Sequence, residues 1–138
     1  MNPTELVKLA KTAMQRAYVP YSGYKVGAAL LTKGGRVYLG CNIENAAFGP
    51  SNCAERTAFF TAIAAGEHEF ECIAVVGGKN GVVTDIFPPC GVCRQVMQEF
   101  CAPDFMIYMG RGDDSYEAVP LEKLLPYGFN AAKYMSGD

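Results

Sequence analysis

Three cysteines and one glutamate stand where they can act together: Cys53 and Glu55 in Cys53-Ala54-Glu55-Arg56, and Cys90 and Cys93 in Pro89-Cys90-Gly91-Val92-Cys93-Arg94. Three thiolate ligands leave a tetrahedral Zn²⁺ one open position for water, whereas a structural zinc closes its shell with four. A carboxylate two residues from one ligand is suited to accept the proton of that water. The spacing reads as one catalytic zinc site, with Cys53, Cys90 and Cys93 as ligands and Glu55 as the acid/base. A lone C-x-x-C is weak evidence, because it also describes a redox pair. The third cysteine at a C-A-E-R segment and the proline ahead of Cys90 make the pattern more specific.

Two alternatives leave distinct marks. A redox protein requires a reversible Cys90 to Cys93 disulfide. A zinc-stabilised binding module requires a fourth protein ligand, and Cys41, Cys72, Cys101 and His68 are the candidates. The three cysteines sit in or beside apolar segments and read as small buried hydrophobes. His68, the one histidine, lies in the polar turn Gly66-Glu67-His68-Glu69-Phe70 without the partner spacing of a zinc motif.

Three thiolates on Zn²⁺ carry a formal charge of about -1, which blunts its Lewis acidity. Helix N-termini drain part of that charge, each supplying roughly half a positive charge. Arg56 and Arg94 directly follow the two motifs, and either can donate a hydrogen bond to a thiolate and so tune the metal.

The elements that must position these residues follow from periodicity. Leu6, Leu9, Ala10, Ala13 and Ala17 recur at helical spacing over residues 4 to 18, with Thr4 as N-cap and Val19-Pro20 as the stop. Val26 to Leu31 is an apolar run too short for a helix, and Lys33-Gly34-Gly35 turns it back into Arg36 to Gly40, a hairpin. Cys41-Asn42-Ile43-Glu44-Asn45 then forms a loop crowded with polar acceptors. A helix is expected from about Asn52 to Ala65, capped by Ser51, which sets Cys53 in its first turn. Cys72 to Gly77 reads as a central strand, Val82 to Ile86 as a shorter segment, and Cys90 or Gly91 to Phe100 as a helix with Val92, Val96, Met97 and Phe100 inward. Strands at Phe105 to Met109 and Ser115 to Val119 and a short helix from Pro120 complete an α/β layer pattern.

Composition removes other classes. The chain has 138 residues, half of them hydrophobic, and reads as one domain over 1–138, since no repeat or linker divides it. A net charge of -2 with scattered Lys and Arg argues against nucleic acid. No apolar run approaches the roughly 18 to 20 residues of a membrane span. The N-terminal residues lack a signal-peptide pattern, so a reducing, cytoplasmic location is expected.

Tyr21-Ser22 before Val26-Gly27-Ala28-Ala29, then Cys41-Asn42-Ile43-Glu44-Asn45, Cys53-Ala54-Glu55-Arg56-Thr57-Ala58 and Pro89-Cys90-Gly91-Val92-Cys93-Arg94-Gln95, resemble the cytidine deaminases of the small homotetrameric type. The similarity runs from the first helix through Leu124-Leu125-Pro126. It implies a three-layer α/β/α fold with a mixed sheet of about five strands. It also implies zinc-dependent hydrolytic deamination of cytidine and deoxycytidine in pyrimidine salvage, with zinc hydroxide attacking C4 and Glu55 passing the proton to N3. By the same resemblance Asn42 and Glu44 hold ribose hydroxyls, the Ala54 amide contacts the base, and Tyr24 packs against it. Phe129 matches an aromatic residue that closes a neighbouring subunit's site.

Two positions depart from that pattern. Phe48 stands where a Tyr is common, which removes a hydroxyl near the sugar or the subunit interface. Pro88 replaces a frequent Ser or Thr, whose role the resemblance assigns to a backbone carbonyl that Pro keeps. A blasticidin-type nucleoside deaminase shares Cys-Ala-Glu and Pro-Cys-x-x-Cys, but Asn42-Ile43-Glu44-Asn45 and Cys-Ala-Glu-Arg favour ordinary nucleosides. Polynucleotide deaminases need a basic groove or aromatic platform, which this sequence lacks.

Overall fold

Strand β1, Tyr24–Thr32, is where the two cores of the molecule part. Side chains alternate along a strand. Val26, Ala28 and Leu30 therefore enter one apolar cluster, and Ala29 and Leu31 enter the other. The computed structural model describes residues 1–131. Its elements in chain order are α1 (Pro3–Met14), β1, β2 (Val37–Cys41), α2 (Ala54–Ala64), β3 (Phe70–Lys79), α3 (Gly91–Phe100), β4 (Met106–Gly110), β5 (Tyr116–Pro120) and α4 (Leu121–Leu124). The five strands form one mixed sheet in the order β2-β1-β3-β4-β5. Only β3 and β4 pair in parallel.

Leu6, Val7, Ala10 and Met14 of α1 pack on Ala29, Cys72, Ala74 and Val76. Across the sheet, Ala58, Phe59 and Ala62 of α2, Met97 of α3 and Leu121 of α4 pack on Val26, Leu30, Ile73, Val75 and Ile107. The result is the three-layer α/β/α arrangement with a mixed five-stranded sheet.

The close layering depends on small residues. A Cβ at Gly27 would lie 2.0 Å from the Ala10 carbonyl oxygen of α1, and one at Gly40 would lie 2.3 Å from the Ala54 carbonyl oxygen of α2. Gly40 thus sets the depth at which α2 begins. Since β2 and β3 both run antiparallel to β1, their C-terminal ends share one sheet edge. Both α2 and α3 start from that edge, the usual place for a ligand site in an open α/β sheet.

Several boundaries differ from the sequence reading. The cap of α1 is Asn2, not Thr4: its side chain accepts from the Glu5 amide at 2.9 Å, and Glu5 returns a bond to the Asn2 amide. Pro at the first helical position and Glu at the third are the signal for that capping box. The helix ends at Met14, and Arg16 and Ala17 only continue a turn. Residues 82–86 form no strand. Val92 is 57 % exposed because α3 turns Cys93 and Met97 inward instead. Among the described residues no helix is long and apolar enough to cross a membrane.

Candidate metal centre and active site

Both motifs begin helices, but each leading cysteine is the cap and not a first-turn residue. Cys53 caps α2 with φ -77° and ψ 156°, and Cys90 caps α3 with φ -67° and ψ 167°. An extended cap can turn its side chain toward the unpaired amides of the first turn, which Cys90 does and Cys53 does not. The Cys90 sulfur accepts from the Cys93 amide at 3.5 Å. Ser51, the cap expected from the sequence, instead accepts from the Asn45 amide at 3.0 Å and shapes the preceding loop.

The sulfurs converge. Cys53 and Cys90 Sγ lie 3.7 Å apart, Cys90 and Cys93 Sγ 3.5 Å, and all three fall within 4.8 Å of one another. Tetrahedral Zn²⁺ with Zn–S bonds of about 2.3 Å requires S···S separations of about 3.8 Å. The donor set therefore fits zinc in chemistry and in spacing. Among the described residues it is the one cluster of three or more metal-binding side chains. Cys41, Cys72, Cys101 and His68 do not join it, so the fourth protein ligand of a closed structural site is not supplied.

The surroundings of Cys53 favour its thiolate. The Cys53 thiol is pulled down to about 5, chiefly because Cys93 donates to its sulfur and further because Arg56 does so. The Arg56 Nη2 to Cys53 Sγ distance is 3.2 Å. Cys93 is pushed up, since its proton serves that bond and since it is buried. Burial alone would lower Arg56, but its bonds to the Cys53 and Cys93 sulfurs outweigh that and hold it protonated. Its Nε is buried without a hydrogen-bond partner.

Glu55 is only 3 % exposed, and burial, reinforced by the Cys53 charge, pushes its carboxyl up to about 7. It occupies the second position of α2, so the turn that directs the Cys53 sulfur also directs this carboxyl. Ala54 between them is fully buried.

Arg94, named with Arg56 as a possible thiolate donor, does something else. Its Nε donates to the Pro89 carbonyl and its Nη1 to the Leu124 carbonyl, both at 2.8 Å. It braces the backbone just ahead of Cys90 against the end of α4. Phe129 is 55 % exposed, and its carbonyl accepts from Gln95 Nε2 of α3 at 2.9 Å.

The polar loop after β2 is tied to the metal motif by contacts that local sequence does not announce. The Ile43 and Asn52 amides and carbonyls exchange bonds of 2.9 and 3.0 Å, and Tyr18 pairs with the other side of Ile43. Asn52 Nδ2 donates to Thr57 Oγ1, whose hydroxyl bonds the Cys53 carbonyl, each at 3.1 Å. Asn42 thereby comes beside β1, where Oδ1 accepts from the Val26 amide at 2.9 Å and Nδ2 donates to the Tyr24 carbonyl at 2.8 Å. One acceptor direction and one N–H of that amide remain.

Glu44 accepts from the Tyr21 and Ser22 amides and the Ser22 hydroxyl, which holds its carboxyl below the usual range, the hydroxyl bond first. Tyr24 carries the Lys79 ammonium 5.3 Å from its ring centre and lies 6.4 Å from the Phe87 ring. Phe48 is held at φ 43°, 75 % exposed, beside a cleft of about 320 Å³ lined also by Tyr21, Ser22, Glu44, Asn45 and Ser51.

Comparison with known proteins agrees with this geometry. Residues 1–109 match the model of the cytidine and deoxycytidylate deaminase zinc-binding region. The chain is 45 % identical over 130 residues to a cytidine deaminase of Sporosarcina psychrophila, covering 94 % of this chain and 93 % of that one. It is 47 % identical over 131 residues to a cytidine deaminase of Halalkalibacterium halodurans, covering 95 % and 96 %. The crystal structure of a cytidine deaminase from Burkholderia pseudomallei superposes with a TM-score of 0.86 at 45 % identity, over 94 % of this chain and 100 % of that one.

Proposed function

This chain belongs to the cytidine and deoxycytidylate deaminase family, and on that premise we propose that it hydrolyses cytidine and deoxycytidine to uridine and deoxyuridine with release of ammonia. The observation that carries this reading is a buried Glu55 two residues from a trio of sulfurs spaced for one metal ion.

Cys53, Cys90 and Cys93 would hold zinc, which when bound supplies the Lewis acidity that brings the pKa of water from about 16 towards about 7. Glu55 accepts the water proton and delivers it to N3 of the cytosine ring, then helps the C4 amino group leave as ammonia. A carboxyl raised towards neutrality by burial is matched to both transfers. Arg56 and the starts of α2 and α3 offset the negative charge of the thiolates. First-turn amides lack an acceptor within the helix, so the Ala54 N–H is available to the base.

Tyr24 packs against the base, and Asn42 and Glu44 take ribose hydroxyls. Phe48 gives that subsite an apolar edge where relatives of this type commonly carry Tyr. Arg94 would help place Cys90 by holding the Pro89 backbone ahead of it. The unit is a homotetramer of single domains spanning 1–138, with Phe129 completing a neighbour's site. Residues 132–138 lie outside the described residues. The exposure of Tyr21, Tyr24, Phe48 and Phe129, between 44 % and 75 %, supports cover by other subunits. The reaction belongs to pyrimidine salvage in the cytoplasm, and a site built on thiolates suits a reducing compartment.

The test is loss of cytosine absorbance with cytidine, deoxycytidine, CMP and blasticidin S offered in parallel. Turnover of the first two, abolished by a chelator and restored by zinc, is the expected result. No turnover by protein carrying one zinc per chain refutes the proposal, and a preference for blasticidin S reassigns the substrate.

A further inference from the structure

The Tyr21-Ser22 pair ahead of β1 has no part in the chemistry above, yet its donors converge on one carboxylate. The Tyr21 and Ser22 amides each donate to Glu44 Oε1 at 3.1 Å, and the Ser22 hydroxyl donates to Oε2 at 2.5 Å. The same hydroxyl accepts from the Tyr24 amide at 3.0 Å. We infer that Ser22 is a positioning residue for the sugar subsite, fixing Glu44 as an acceptor-only group with one direction left open for a ligand hydroxyl, and linking it to Tyr24. This inference rests on the proposed contact between Glu44 and ribose.

The count of directions leads to it. An ionised carboxylate has about four acceptor directions and no donor. Two on Oε1 and one on Oε2 are filled, which leaves one on Oε2. The Ser22 hydroxyl has a single donor, and it points at Glu44 while a lone pair is held by Tyr24. It cannot turn outward to donate to a ligand without releasing the carboxylate. The open direction therefore accepts from a hydroxyl and repels another acceptor. Ser22 and Glu44 both line the 320 Å³ cleft beside Phe48.

The fold does not depend on that hydroxyl. The Gly23 amide donates to the Val19 carbonyl at 3.1 Å and the Asn80 amide to the Gly23 carbonyl at 2.7 Å, and both bonds persist without the hydroxyl. Asn42 secures the Tyr24 carbonyl separately. Exposed hydrogen bonds add little to stability, so the arrangement matters for the direction of Glu44.

The experiment compares zinc-loaded wild type, Ser22→Ala and Ser22→Thr on cytidine and 2′,3′-dideoxycytidine, reading the ratio of their kcat/KM values. The wild type favours cytidine. Ser22→Ala is expected to lower that ratio about tenfold, by weakening only the hydroxyl-bearing substrate, with an unchanged melting temperature, and Ser22→Thr to restore it. A ratio within twofold of wild type, or an equal loss on both substrates, overturns the role of Ser22. A wild type that does not discriminate between the two refutes the Glu44 contact itself, and one that turns over neither refutes the deaminase reading.

Discussion

Replacing Arg56 with Gln removes the guanidinium that donates to the Cys53 sulfur at 3.2 Å and leaves helix α2 otherwise intact. A hydrogen bond to a charged group is worth about 1.5 to 3 kcal/mol. At 1.4 kcal/mol per decade this corresponds to a loss of about 10- to 100-fold in zinc affinity, the range found when groups behind metal ligands are removed. The loss should be larger at low pH. Arg56 helps hold the Cys53 thiol down near 5, so without it protons compete with the metal over a wider range.

Folding of the metal-free chain should change much less. Arg56 Nε is buried without a partner, so the substitution also removes an unsatisfied donor whose burial costs about 1 to 3 kcal/mol. The assays are competition for zinc against a chromophoric chelator between pH 6 and 8, and alkylation of metal-free protein with Cys53 followed by mass spectrometry. Arg56→Lys, a point charge without the planar fork, should fall between wild type and Gln. Zinc affinity within twofold of wild type across that range, with an unshifted alkylation profile, would refute a role for Arg56 in holding the thiolate.

Three further substitutions probe other parts of the site. Glu55→Gln should retain zinc but lose at least ~10² in turnover. It should also flatten the pH dependence of metal-free stability. A carboxyl raised from 4.5 to about 7 contributes fully below 4.5 and loses that contribution as pH rises through 7, which denaturant midpoints at pH 5 and 8 will show. Gly40→Ala should destabilise by about 1 to 3 kcal/mol, because the added methyl meets the Ala54 carbonyl and pushes out the turn carrying Cys53 and Glu55; zinc affinity and the melting curve should fall together. Arg94→Met removes two bonds to carbonyls and should lower stability by about 2 kcal/mol without moving the alkylation pH of Cys53, which separates bracing of the backbone from tuning of sulfur.

Much of this molecule is local in origin and so was legible. The short apolar runs at residues 26–31 and 72–77 are strands because buried strands need few residues and β-branched or small side chains. The Pro-Cys-x-x-Cys segment brings two sulfurs to a helix start because residues three apart lie on one face. Where the sequence reading missed, a different local group had taken the same task. Asn2 outcompetes Thr4 because Pro3 and Glu5 complete its box, whereas at α2 Ser51 is occupied by Asn45 and Cys53 holds the cap position without a side-chain capping bond.

By itself, then, the sequence determined the elements, the helix-start setting of each motif and the chemical character of the ligand set. Tertiary structure alone decided that Cys53 and Cys90, 37 positions apart, meet at 3.7 Å. It did so through the antiparallel pairings that bring the ends of β2 and β3 to one edge and through the bare backbone of Gly40. It also separated Arg56 from Arg94, two arginines in the first turn or so of the helices that the motifs begin. One guanidinium reaches sulfur, and the other is drawn to the Pro89 and Leu124 carbonyls. The direction of Glu44 is of the same kind: it is set across a separation of 22 positions by Ser22, and spacing along a chain does not encode a hydrogen bond that long-range packing creates.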